Sequence, residues 1–281
     1  MKPLIEVRQI LDGHENILSR QTISMDQHVF SGGEPHCRIE RFASITPSDS
    51  LAIVVRDPSM QGVMTAFLAQ DVLRRQGHQP TLHLPYLPFA RQDRVMSADQ
   101  PFSLQVFADL LNTRQFPRVT LYDPHSDVGP ALIRNSLVVE QHQIVRLTVD
   151  SSILTTHLLV SPDAGAYKKV SKLGGVPVIG MKTRQNGQVV ATSFLSSLPV
   201  SYQHLLIVDD ICDGGRTFIE LARVLRLAGA ASVSLYVTHL IASKGLDCLF
   251  ADEQGPLLDR IYTTDSFPHP PHDRITVQPI I

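Results

Sequence analysis

The sequence offers no cysteine framework to build on. Its three cysteines, Cys37, Cys212 and Cys248, are odd in number and lie far apart. They set neither a metal-type spacing nor a disulfide pattern, so a reduced, cytoplasmic setting is expected. Charge of one sign is lacking too: 25 Lys and Arg stand against 27 Asp and Glu, for a net −2. That excludes broad attraction to nucleic acid or to an anionic membrane, and any basic anion site must be local. No apolar run approaches the length of a membrane-spanning helix. The opening stretch Met1-Lys-Pro-Leu-Ile-Glu6 has no apolar core of signal-peptide length. Low-complexity tracts, short repeats and Pro- or Gly-rich linkers are also missing. What remains is an ordinary globular composition, 43% hydrophobic and 19% charged over 281 residues. This length allows two domains or one large one.

Short apolar runs alternate with helix-like segments. Residues 51–55 read as a buried strand. Ser59 can cap the helix that follows, with Val63, Phe67, Val72 and Leu73 at its apolar positions. Strands are expected at 81–84 and 118–122, with a helix over 102–111 between them. The second half repeats the rhythm: strands at 158–160, 176–179, 205–208, 232–237, 260–263 and 275–277, helices over 164–173 and 216–227. Strands separated by helices imply an α/β fold with mainly parallel sheets covered on both faces. Two α/β halves, 1–145 and 146–281, are expected, and the last strand could pair with the first half. In such sheets ligands bind beyond the carboxyl ends of the strands, and the polar clusters all follow expected strands.

The most specific cluster is Leu205-Leu-Ile-Val-Asp209-Asp210-Ile-Cys-Asp213-Gly214-Gly215-Arg216-Thr217-Phe218. An apolar strand ends in two carboxylates, turns through glycines and enters an amphipathic helix. The glycines let backbone N–H groups approach an anion, and the helix start adds a favourable dipole. The carboxylates can accept hydrogen bonds from sugar hydroxyls or hold a metal, which suits a phosphorylated sugar. The bland reading is a turn with an Asp-capped helix.

Leu84-Pro85-Tyr86-Leu87-Pro88-Phe89-Ala90-Arg91-Gln92-Asp93-Arg94 suits a nucleotide, since guanidinium groups neutralise phosphate or stack on a base. A solvated loop is the alternative. Asp123-Pro124-His125-Ser126-Asp127 could bind a divalent metal or form a turn with an Asp cap. In Ser161-Pro162-Asp163-Ala164-Gly165, Asp163 could hold a metal or a hydroxyl; alone it reads as the acid at a helix start. Asn186-Gly187 suggests a hairpin turn. Lys182 and Arg184 then share one side of a projecting arm, which could carry two cations to a phosphate or be an ordinary exposed hairpin. Phe30-Ser31-Gly32-Gly33-Glu34 could clasp a base or be a plain turn.

In this order the clusters resemble the phosphoribosyl pyrophosphate synthetase (ribose-phosphate pyrophosphokinase) family over nearly the whole chain. Phe30–Glu34 resembles its Phe-Ser-Asp-Gly-Glu, and Pro85–Arg94 its Pro-Tyr-x-x-Tyr-Ala-Arg-Gln-Asp-Arg. Asp123–Asp127 resembles Asp-Leu-His-Ala-Asp, and Ser161–Gly165 Ser-Pro-Asp-x-Gly. Lys182-Thr183-Arg184 sits where the family has Lys-Arg-Arg on a mobile loop. Thr238-His239 and Thr264-Asp265 match two further strand-end pairs. The resemblance implies two phosphoribosyltransferase-like halves and an enzyme in which the anomeric hydroxyl of ribose 5-phosphate attacks the β-phosphorus of ATP and AMP leaves. It implies that Arg91, Gln92, Asp93 and Arg94 hold ATP, with Phe30 and Glu34 reaching its adenine from a neighbouring subunit of a homo-oligomer. Asp123, His125 and Asp163 would handle Mg²⁺, directly or through water. Lys182, Arg184 and His125 would act at the transferring phosphoryl. Asp209 and Asp210 would bind ribose hydroxyls, and Asp213, Gly214, Gly215, Arg216 and Thr217 the distal phosphate.

The chain departs from the pattern in places. Gly32 replaces an Asp, Thr183 a basic residue, and Arg134 and Val138 stand where some members have further acids. The sugar-phosphate loop departs most, reading Asp213-Gly-Gly-Arg-Thr217 where the family usually has Asp-Thr-(Gly/Ala)-Gly-Thr. One hydroxyl is lost and a guanidinium gained, which suits a larger anion such as a diphosphate. ADP-ribose is therefore an alternative acceptor, with a product that could feed NAD resynthesis. A salvage phosphoribosyltransferase would share the loop but would not need the Arg-Gln-Asp-Arg segment. A non-catalytic regulatory subunit is the other alternative, ranked below an enzyme because Lys182, Arg184 and His125 are all present.

Overall fold

The computed structural model describes residues 5–10, 20–40, 45–46, 49–185, 188–253 and 255–281. Packing divides the chain into two units, one ending at Glu140 and joined by Ile280–Ile281, the other Gln141–Pro279. The expected division at 145 falls inside a helix, α4 below, that belongs to the second unit.

The first unit runs β1 (Ile5–Ile10), β2 (Arg20–Ile23), β3 (Met25–Val29), β4 (Pro35–Ile39), β5 (Ser50–Val55), α1 (Met60–Arg75), β6 (Thr81–Leu84), α2 (Ser103–Asn112), β7 (Val119–Tyr122), α3 (Val128–Leu132) and β8 (Ser136–Val139). Its six-stranded sheet has the order β2-β1-β5-β6-β7-β8. Strands β5 to β8 are parallel, and β1 runs antiparallel to both its neighbours. The apolar run in β5 is buried on both faces, as a central parallel strand requires. Ser59 starts α1, its hydroxyl oxygen accepting from the Gly62 amide at 3.1 Å. Val63, Phe67 and Leu73 of α1 are buried in the core beneath, while Val72 is only partly buried. The hairpin β3–β4 forms a separate two-stranded ribbon.

The second unit runs α4 (Gln141–Thr148), α5 (Ser151–Thr156), β9 (Leu158–Ser161), α6 (Ala164–Val170), β10 (Val178–Gln185), β11 (Gln188–Leu195), β12 (His204–Cys212), α7 (Arg216–Leu227), β13 (Ser232–Leu240), β14 (Ala251–Asp252), β15 (Gly255–Pro256), β16 (Arg260–Thr264) and β17 (Ile275–Gln278). Its main sheet has the order β11-β10-β9-β12-β13-β16-β17. All neighbours are parallel except β11, which returns antiparallel along β10. The last strand thus completes the second sheet; Ile280 and Ile281 alone return to the first unit. Helix α7 buries Phe218, Leu221, Ala222 and Leu225 along one side, a stripe at helical spacing. Burying each of its large side chains contributes about 1.5–3 kcal/mol. Among the described residues no helix is long and apolar enough to cross a membrane.

Candidate active site

In the first unit the chain after β6 folds into a tight loop. Phe89 takes a left-handed backbone (φ 61°) and packs its ring against Phe107 of α2, centroids 5.6 Å apart. The Gln92 carbonyl accepts from the Leu104 amide at 3.2 Å, tying the loop to the start of α2. Arg91, Gln92, Asp93 and Arg94 line a cavity of about 400 Å³ together with Met96, Gln100, Pro101, Ser103 and His125. The sequence reading placed His125 in a different cluster, and the sheet brings it here because β6 and β7 are parallel neighbours whose carboxyl ends share one edge. Asp93 is the anchor. It is buried, and its carboxylate accepts from the exposed Arg94 guanidinium at 3.0 Å. Burial pushes its carboxyl up, but hydrogen bonds from Ser126 and Arg94 and the charges of Arg94 and His125 outweigh that and hold it below its usual value. Asp93 therefore lines the cavity and orients the Arg94 guanidinium beside it.

Asp123 lies one step from this rim. It ends β7 in a left-handed backbone (φ 42°) with its amide bonded to the Val139 carbonyl at 2.9 Å. A non-glycine residue held there stores about 1–3 kcal/mol of strain, a mark often found at functional sites. Its side chain is buried and does not line the cavity. Phe30 and Glu34 do not line it either. They sit at the tip of the β3–β4 hairpin, where Phe30 is 55% exposed and touches the rings of His28 and His36. The Glu34 carboxylate lies over Gly32, in the space a side chain at 32 would fill. The missing acid at 32 thus coincides with a neighbouring acid folded into its place.

In the second unit the acidic pair lies within the strand. β12 continues through Asp209 and Asp210 because its ladder with β13 runs on to Cys212 opposite Leu240. The Asp210 amide donates to Asp209 Oδ1 at 2.9 Å. Burial, then the Asp210 charge and that of Asp163, push the Asp209 carboxyl well up. Cys212 is fully buried, and burial, with Asp209, Cys248 and Asp213 nearby, pushes its thiol to about 12. It is a packing residue and no nucleophile. Asp163 caps α6: its Oδ1 accepts from the Gly165 and Ala166 amides at 3.0 and 3.1 Å.

The glycine turn after β12 delivers α7. Gly215 is its N-cap, with φ 74°, and a side chain there would collide with Leu249. Gly214 needs neither a positive φ nor empty space, since a methyl group on it would meet the Lys244 stem at an ordinary 3.6 Å. Arg216 is 73% exposed and donates to Glu220 one turn along at 2.6 Å. Glu220 also accepts from Thr192 of β11 at 2.9 Å. Lys182 and Arg184 occupy β10, opposite Thr192 and Val189 of β11, with a bulge between Thr183 and Arg184. The Asn186-Gly187 turn lies outside the described residues. At the ends of β13 and β16, His239 shares a 2.9 Å hydrogen bond with Ser266, and both Ser266 and Thr264 donate to the Thr238 carbonyl. Ser266 was not singled out in the sequence; only the strand-end pairs beside it were.

Among the described residues no three His, Cys, Asp or Glu side chains converge as a metal cage. Mg²⁺ needs no such cage: it commonly takes one or two carboxylates plus substrate phosphates and water. The Asp and His groups at the strand ends fit that mode.

No family model matches the chain. Individual proteins do. The ribose-phosphate pyrophosphokinase of Corynebacterium efficiens is 30% identical, across 94% of this chain and 83% of its own. That of Mycoplasma pneumoniae is also 30% identical, across 87% of this chain and 76% of its own. The crystal structure of phosphoribosylpyrophosphate synthetase from Mycobacterium smegmatis aligns with a TM-score of 0.75 and 23% identity, covering 92% of this chain and 87% of that one. At that identity the likeness bears on the fold: two mainly parallel sheets flanked by helices.

Proposed function

Because the chain belongs to the ribose-phosphate pyrophosphokinase family, enzymes that transfer a diphosphate group, we propose that it moves the β,γ-diphosphate of ATP to the anomeric 1-hydroxyl of ribose 5-phosphate. The hydroxyl oxygen bonds to the β-phosphorus. The bond from that phosphorus to the oxygen bridging to the α-phosphorus breaks, and its electron pair leaves with AMP. The hydroxyl proton passes to solvent, and the other product is phosphoribosyl pyrophosphate. Transfers of this kind need positioning and charge neutralisation more than covalent help.

The observation that carries this reading is the convergence of Arg91, Gln92, Arg94 and His125 on one cavity, with Asp93 steering Arg94. These groups bind the polyphosphate and orient it. Phe30 and Glu34, at an exposed hairpin tip, reach the adenine held by a second copy of the chain. Lys182 and Arg184 bring positive charge to the diphosphate as it moves. Asp209 and Asp210 receive the ribose hydroxyls, and the amides of the Asp213–Thr217 loop receive the 5-phosphate at the start of α7. Asp123 and His125 in the first unit, and Asp163 in the second, are each candidates to hold Mg²⁺, directly or through water, and the ion would neutralise charge on the phosphates.

A second reading keeps the chemistry and changes the acceptor to ADP-ribose, giving a product suited to NAD resynthesis. It is favoured by the loop sequence at Gly214 and Arg216, where a hydroxyl is lost and an exposed guanidinium is gained. AMP release from ATP and Mg²⁺, measured with ribose 5-phosphate and ADP-ribose at equal concentration, tests both. Preference for ribose 5-phosphate supports the first reading, preference for ADP-ribose the second. No AMP with either acceptor overturns both and favours a non-catalytic subunit.

A further inference from the structure

The loop after β13 is pinned onto the loop after β12. The amides of Ile241 and Ala242 both donate to the Cys212 carbonyl, at 2.8 and 3.1 Å. Ala242 accepts a left-handed backbone (φ 50°) to make this possible. The chain then turns through Gly245, whose amide bonds back to the Ala242 carbonyl at 2.9 Å. The residues inside that turn are Ser243 and Lys244. The Lys244 Cγ, Cδ and Cε lie 4.0, 3.7 and 3.6 Å from where a side chain on Gly214 would begin. The stem thus lies along the glycine turn, within ordinary contact distance of a side chain at 214, and Lys244 is exposed. Arg216, by contrast, is engaged with Glu220 on the flank of α7.

We infer that Lys244 is a specificity-determining residue of the acceptor site, its ammonium binding the phosphoryl group linked to the pentose 5-oxygen. This rests on the acceptor reading of the 213–217 loop. Backbone amides and the helix dipole supply that loop's uncharged donors, and Gly214 contributes no side-chain donor. Lys244 adds the mobile, fully charged donor that a phosphate monoester or diphosphate requires. The same chemistry serves ribose 5-phosphate, which offers one phosphoryl group there, and ADP-ribose, which offers two.

The test compares wild type, Lys244→Ala and Lys244→Arg in the Mg²⁺–ATP assay with each acceptor. Ribose 5-phosphate and ADP-ribose are also titrated calorimetrically into the ATP-free protein, which reads the cradle without catalysis. In Lys244→Ala, KM and Kd for the acceptor are expected to rise about 10- to 100-fold. KM for ATP should hold, kcat should change little, and Lys244→Arg should recover much of the loss. A rise with both acceptors supports the inference; a rise with ADP-ribose alone, leaving ribose 5-phosphate unaffected, overturns binding at the phosphoryl group on the 5-oxygen. Unchanged acceptor KM and Kd in Lys244→Ala, beside an active wild type, overturn the role of Lys244 alone. A wild type that binds neither acceptor overturns the acceptor reading itself, and this inference with it.

Discussion

Glu6 carries a carboxylate into the first unit's core and keeps it charged. Its Oε1 accepts from Arg8 at 2.6 Å and from Arg56, and Thr22 donates to the other oxygen at 3.2 Å. Burial pushes the Glu6 carboxyl up, but the hydrogen bonds and charges of the two arginines win and hold it below its usual 4.5. A carboxyl lowered by folding stabilises the native state above its unfolded value and loses that contribution as pH falls through the lowered one. Glu6→Gln is therefore expected to cost about 3–5 kcal/mol at neutral pH, because two arginines are left without their counter-charge. Denaturant melts should show the gap to wild type narrowing as pH falls below 4.5. A gap independent of pH would contradict the assignment. Near the ligand sites the sensitive residue is Gly215. Gly215→Ala combines a positive φ with a clash against Leu249, so stability should fall by about 1–3 kcal/mol and ribose 5-phosphate binding should weaken; unaltered melting and binding would refute both.

Each ligand-directed cluster depends on one element end. Asp163 shows how two roles can be separated there. Its Oδ1 caps α6, and it is also a candidate ligand for Mg²⁺. Asp163→Asn keeps a capping oxygen and removes the charge, so its melting temperature should match wild type while the Mg²⁺ needed for half-maximal rate rises. Asp163→Ala should also lose about 1 kcal/mol of stability. Equal Mg²⁺ requirements in all three proteins would leave Asp163 with the cap alone. For the β10–β11 arm, Lys182→Ala or Arg184→Ala should lower kcat by about 10³-fold with melting unchanged, and wild-type rates would refute their role. Much of this was legible in the residues. The runs at 51–55 and 205–208 are unbroken and apolar, and the stripe of α7 has helical period. The strands β1 and β2 were not legible, because Glu6 and Arg8 are buried as an ion pair and look like surface residues. The strand β12 also outran its apolar run, since its ladder to β13 carries Asp209 and Asp210 inside the sheet. Lys244 left no local signal: it reaches Gly214 only because two parallel neighbours end together.

At the scale of the whole molecule, both units are α/β sheets, and the chain belongs to the ribose-phosphate pyrophosphokinase family. The exposed hairpin tip with Phe30 stands outside the cavity lined by Arg91 and Arg94, which is why a second copy is proposed to complete the adenine site. Mixing Phe30→Ala with Arg91→Ala chains should then restore part of the AMP-forming activity that each lacks alone. No recovery on mixing would place the adenine contact within one chain. The central claim is transfer of an intact diphosphate. Phosphorus NMR of the protein with ATP, Mg²⁺ and the preferred acceptor tests it most directly. AMP and a pentose bearing both phosphorus atoms at its 1-oxygen are the expected products; ADP with a singly phosphorylated sugar, or unchanged ATP, would contradict it.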